Sequence, residues 1–83
     1  MLINSVEIVV KKSRFIGLLY EVHSIDEVKE ILEGLKKEHK NLERKNMDNC
    51  LIVVIRYFGG IKLGAGGLIR AYGATANEVT KNY

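Results

Sequence analysis

The chain has no proline and a single cysteine, and no acidic residue at all between Asp48 and Glu78. One cysteine, Cys50, permits no internal disulfide and gives no sign of an oxidising compartment. Without proline, no rigid ring marks where an element must stop. The end of the first helical pattern is therefore unmarked between His39 and Asn46. The longest apolar run, CLIVVI from Cys50 to Ile55, has six residues, far short of the ~20 that a membrane helix needs. The N-terminal stretch MLINSVEIVVKK places its charges after its apolar part, the reverse of a signal peptide. These absences predict a cytoplasmic protein without a membrane association.

The 83 residues are expected to form one small domain, 1–83. A chain of this size buries only about 60–65% of the surface its unfolded form exposes, so its stability is modest. With 47% hydrophobic and 28% charged residues, the composition is that of an ordinary globular domain.

The missing acids shape the charge distribution. The net charge is +3, and the window from Asp48 to Glu78 holds Arg56, Lys62 and Arg70 with nothing to oppose them. The rest of the chain is balanced. The excess charge therefore sits on and around the segment RYFGGIKLGAGGLIRAY, Arg56 to Tyr72, which packs five of the eight glycines into Gly59–Gly67. Such a cluster serves either as a solvated face or as a contact surface for anions.

The periodicity predicts the elements around it. Val6 to Val10 and Arg14 to Val22 alternate and are joined by a polar link, the pattern of an antiparallel hairpin. SIDE, Ser24 to Glu27, is a capping box, with the Glu27 carboxylate expected to reach the Ser24 amide. Behind it Val28, Ile31, Leu32, Leu35 and Leu42 keep a helical stripe, and the helix could extend to Arg44. NMDN is turn-like. CLIVVIRY, Cys50 to Tyr57, is apolar on both faces and reads as a covered strand. A last helix is predicted from about Gly67, with Leu68, Ala71, Tyr72, Thr75, Ala76 and Val79 on one stripe and Arg70 facing outward. The predicted order is β-β-α-β-α, with both helices on one face of the sheet.

A strand, a glycine-rich loop and a helix start can hold an anion, because the first helical amides lack internal partners and the helix dipole favours negative charge there. The candidate site is Arg56, Gly59, Gly60, Lys62, Gly64, Gly66, Gly67 and Arg70. Neither GxxxxGK[ST] nor GxGxxG is present, so no nucleotide loop is indicated. Glycines at these positions equally serve a tight turn and close packing of helix on sheet. The aromatic pair Tyr57–Phe58 is expected to pack beneath the loop, with a stacking face for bases as the alternative. His23, His39 and Cys50 are scattered, so no catalytic set, metal site or cofactor is predicted, and whether any catalysis occurs stays open. Cys50 is read as a small core residue.

RYFGGIKLGAGGLIRAY resembles the signature of the YigZ/IMPACT family in its N-terminal domain, and KKSRFIG, Lys11 to Gly17, resembles that family's first conserved stretch. The resemblance implies an α+β two-layer fold like the second domain of a small-subunit ribosomal protein. Members carry a middle segment between the first helix and the signature strand, including a strand and a short helix, that has no counterpart here. LERKNMDN resembles the end of that missing helix. The second, ferredoxin-like domain of the bacterial members also has no counterpart here. Three strands would then remain, with an unfilled edge that invites a homo-oligomer. The implied function is a non-catalytic binding module associated with translation, RNA or the ribosome. The alternatives are a protein-interaction domain regulating translation, with an acidic protein as partner, and a remnant of a phosphate-binding enzyme.

Overall fold

A computed structural model describes residues 1–39 and 41–81. Six elements follow in order: β1 (Leu2–Val10), β2 (Ser13–Glu21), α1 (Ile25–Glu38), β3 (Leu42–Met47), β4 (Cys50–Tyr57) and α2 (Gly64–Thr80). The strands form one antiparallel sheet in the order β1-β2-β4-β3. The α+β class is the one expected from sequence, with one more strand than the periodicity showed.

That extra strand is β3. Its residues, LERKNM, are exposed except for Leu42, so no apolar alternation announces it. It forms because the two-residue turn Asp48–Asn49 folds it back on β4, with Met47 opposite Cys50 and Leu42 opposite Ile55. The segment is therefore a strand, not a helix end. Helix α1 stops at Glu38, and the His39 amide closes it by donating to the Leu35 carbonyl at 2.9 Å. Leu42 joins the same core cluster as the helical stripe, but from β3. The sheet has four strands, and the expected vacancy at a three-stranded edge does not arise.

The start of α1 follows the capping logic with one change. The Ser24 hydroxyl accepts from the Glu27 amide at 3.1 Å, while the Glu27 carboxylate accepts from the His23 amide, not from that of Ser24.

Strand β4 dictates the layering. Leu51 through Ile55 are each 4% exposed or less, and successive side chains point to opposite faces. Ile52 and Val54 join Phe15, Leu19, Ala71 and Val79 on the α2 side. Leu51, Val53 and Ile55 join Val22, Val28 and Leu32 on the α1 side. The helices therefore cover opposite faces, and the two-layer, one-face arrangement expected from sequence becomes three layers. A strand that is apolar at six successive positions, Cys50 to Ile55, needs cover on both sides. Full burial of a side chain such as Phe15 or Leu51 contributes roughly 1.5–3 kcal/mol.

Helix α2 approaches the sheet closely at Gly17. A Cβ there would lie 2.8 Å from Thr75 Cγ2 and 3.3 Å from the Thr75 carbonyl oxygen. Thr75 itself is fully buried, and its hydroxyl donates to the Ala71 carbonyl at 2.7 Å. The far end of α2 is tied to β1, where the Asn4 side-chain amide donates to the Val79 carbonyl at 3.0 Å. Among the described residues no helix is long and apolar enough to cross a membrane.

Candidate anion-binding tip

Strand β4 ends at Tyr57, and α2 begins at Gly64, three residues earlier than the stripe suggested. The six residues between them pass directly beside the β1–β2 turn. Gly59 is the point of closest approach. A Cβ on it would collide with the Lys12 carbonyl and lie 2.7 Å from the Ser13 amide nitrogen. The Gly59 amide donates to the hydroxyl of buried Ser13 at 3.2 Å. Only a residue without a side chain fits there.

This docking brings two cations to the loop that the charge window did not contain. Lys11 and Lys12 form the two-residue turn, with φ of +48° and +67°. Both values lie in the left-handed region, which a tight hairpin requires and which side chains such as lysine adopt at a cost. Both lysines are exposed. Gly60 and Gly64 also have positive φ, +92° and +76°, so their glycines answer a backbone need.

The start of α2 is electropositive by construction. Its N-cap, Leu63, supplies no side-chain hydrogen bond, and its first turn contains no acid. Lys62, exposed, immediately precedes it. Arg70 folds back along the helix toward that end. A Cβ on Gly66 would lie 3.9 Å from both Arg70 Nη atoms, as expected for helical side chains that lean toward the N-terminus. Gly67 lets Leu63 pack closely, at 3.1 Å from where its Cβ would be. Arg70, Gly67 and Leu63 share one groove with Val10, Lys11, Ala71 and Ala74.

Arg56 does not join that groove. It lies in a separate depression with Glu38, His39, Asn41, Tyr57 and Phe58. Its amide donates to the Asn41 carbonyl at 2.9 Å. Its Nε is buried without a hydrogen-bond partner within the described residues. The Tyr72 phenol is pushed above its ordinary range chiefly by burial, with nearby Arg56 opposing the shift and Glu43 adding to it. The candidate set thus divides in three: Gly59 and Gly60 lie in the loop beside the β1–β2 turn, Lys62, Gly64, Gly66, Gly67 and Arg70 gather at the α2 start, and Arg56 stands apart.

Tyr57 and Phe58 are 39% and 55% exposed, so the expectation that they pack beneath the loop does not hold. The reason is that β4 has already left the sheet's covered region when it reaches them. The Tyr57 ring is nevertheless held. Its hydroxyl lies 2.6 Å from His39 Nδ1, and the Arg14 guanidinium carbon sits 5.4 Å from the ring centroid. Arg14 is also committed to Glu7, its Nε donating to the carboxylate at 2.7 Å. Cys50 is half-buried beside the α2-side cluster. Among the described residues no group of histidine, cysteine and acidic side chains could hold a metal.

Comparison with known proteins follows the same segment. Residues 40–80 match the family described as the Impact N-terminal domain. The Bacillus subtilis IMPACT family member YvyE is 35% identical over 108 positions, covering 87% of this chain and 50% of its own length. The Escherichia coli IMPACT family member YigZ is 26% identical over 110 positions, covering 87% of this chain and 54% of its own. A Thermus thermophilus family member is 52% identical over 40 residues, 48% of this chain and 22% of its own length. The chain thus spans about half the length of the full-length relatives YvyE and YigZ. Since 87% of 83 residues is about 72, about 36 of the 108 positions aligned with YvyE face no residue of this chain. A solved structure described as a hypothetical protein superposes with a TM-score of 0.81 at 24% identity, over 95% of this chain and 57% of that one, which establishes the fold. Taken with the strand–glycine loop–helix signature from Arg56 to Tyr72, these matches place the chain in the IMPACT family, through its N-terminal domain.

Proposed function

We propose that this domain is a non-catalytic binding module in a translation-related family, and that its basic tip contacts the phosphates of RNA. The observation that carries the reading is the docking of the Lys11–Lys12 turn onto Gly59, which adds two lysines to Lys62, Arg70 and the uncapped start of α2. Backbone amides and cations that converge without a carboxylate suit phosphate oxygens. Exposed Phe58 adds a face on which a base can stack. Arg56, in its own depression beside Phe58, is a second contact point along a strand of nucleic acid.

The test is a titration of labelled single-stranded RNA at several salt concentrations, with wild type, Lys11→Glu and Arg70→Glu. Three or four neutralised phosphates give a slope of log K on log salt of roughly −2 to −3. Each reversal should weaken binding and flatten the slope. Sequence preference should be slight, since phosphate contacts carry no base information. Equal binding by all three proteins, or none at low salt, overturns the reading.

A second reading has its own observation. Phe58, Ile61 and Ile69 are exposed on the loop and the first turns of α2, Ile69 at 72%. Exposed apolar side chains with basic neighbours suit an acidic protein partner with an apolar anchor. That reading gives weak salt dependence and a strong loss with Ile69→Ala.

A further inference from the structure

The two edges of the sheet differ in character. β3 is six residues long and carries Glu43, Arg44 and Lys45 in succession. β1 is nine residues long, LINSVEIVV, with one charged side chain, Glu7, whose carboxylate is already engaged by Arg14. Free edges in natural sheets are kept from pairing by short length, charge, proline or bulges. β3 has the first two. β1 has only a register shift between Leu2 and Asn4, and the chain has no proline. From Asn4 to Val10 its pairing with β2 is regular, and Val9 on it is 60% exposed.

Backbone geometry selects how such an edge is used. The Lys11–Lys12 turn closes the pair Val10–Ser13. In a two-residue hairpin those flanking residues exchange hydrogen bonds, and bonded pairs then alternate along the ladder. Val6, Ile8 and Val10 therefore bond toward β2, and Ser5, Glu7 and Val9 turn their amides and carbonyls outward. An antiparallel strand added at this edge must match outward residue to outward residue. With a second copy of β1, full overlap puts the two-fold axis at Val6. Within the regular part of the strand, Ser5 then faces Glu7 of the second copy and Asn4 faces Ile8. Within the strand, Leu2 to Val10, no like charges meet. Moving the axis to Glu7 sets two carboxylates opposite each other, which is unfavourable, and moving it to Ser5 shortens the overlap.

We propose that two copies of this chain pair antiparallel through β1, centred on Val6, to give one continuous eight-stranded sheet. The match of the strand to itself under a two-fold axis points to a second copy as the occupant. Pairing at an edge buries less than a standard interface, which places the dimer among weak, transient associations.

Sedimentation equilibrium of the chain from micromolar to millimolar concentration tests this. Ser5 is exposed, so its substitutions spare the core. Ser5→Glu sets a carboxylate against Glu7 twice per dimer and should raise the dissociation constant about tenfold. Ser5→Lys sets opposite charges there and should leave it unchanged or lower it. Amide exchange of wild type gives a readout that needs no variant: Ser5 and Glu7 should gain protection with concentration while Arg44 does not. A monomer at every concentration overturns the proposal. So does equal weakening by both substitutions, or a dimer insensitive to both with no protection gained on β1.

Discussion

Gly59 and Lys12 touch backbone to backbone across 47 residues of chain, and a methyl group on Gly59 has no space that is not already the Lys12 carbonyl. Two loops that are each exposed thereby become one rigid corner. Neither partner can retreat without opening the β1–β2 turn or the end of β4. Gly59→Ala should therefore cost about 3 kcal/mol or more, at the upper end of overpacking effects because backbone must move. Urea denaturation reads this as a lowered midpoint at unchanged slope.

Gly34 is the contrasting case. It lies inside α1, exposed, with nothing within 4 Å of a built Cβ. Gly34→Ala should raise stability by about 0.5–1 kcal/mol through the lower chain entropy of the unfolded state and the better helix propensity of alanine. The same denaturation experiment, run beside Gly59→Ala, should show opposite signs for the two substitutions.

Tyr20 and Tyr72 give the alkaline limb of stability its shape. Burial is the leading cause that pushes both phenols above their ordinary value of 10.0. A phenol that is harder to ionise folded than unfolded stabilises the fold fully below its unfolded pKa. That contribution is lost as pH rises through the folded value. The urea midpoint should hold level up to about pH 10 and then fall. Tyr72→Phe should flatten part of that fall, and an unchanged alkaline profile in the variant would contradict the assignment.

Phe58 separates the two readings of the tip. If bases stack on it, Phe58→Ala should weaken single-stranded RNA binding by about 1–3 kcal/mol and leave the melting temperature within error, since the ring is already largely in solvent. Fluorescence anisotropy with a short RNA, paired with a thermal melt, measures both. A loss of stability without a loss of affinity would show that the ring supports the loop.

Much of this architecture was legible because apolar side chains announced it. The two alternating runs gave the hairpin, Ser24 gave the start of α1, and CLIVVI gave the buried central strand. What stayed hidden lacked that signal. LERKNM pairs through its backbone and leaves its side chains in solvent, so its strand character is held by β4 and not by its own composition. The placement of helices on both faces is implied by the unbroken apolar run Cys50–Ile55 of β4, which the expectation of one-face packing does not use. At the tip, the glycines and Arg70 were visible as a segment. Lys11 and Lys12 were not, because nothing local tells a hairpin turn which distant loop it will meet. Arg56 was grouped with the others by sequence distance alone, and it lines a different depression, near Tyr57 and Phe58.

The strand order carries a kinetic consequence. β1–β2 and β3–β4 are each closed by a two-residue turn and can zip locally, within microseconds. The seam that makes them one sheet, β2 against β4, joins Glu21 to Cys50 at its nearest and Arg14 to Tyr57 at its farthest. Every pairing along it closes a loop of some 30 to 40 residues, and the chain must lose that freedom before any buried contact compensates. Val53 and Ile55 reach both hairpins and α1 only once this seam has formed. Folding speed should accordingly respond to substitutions along the seam, where a destabilising change slows folding more than it speeds unfolding.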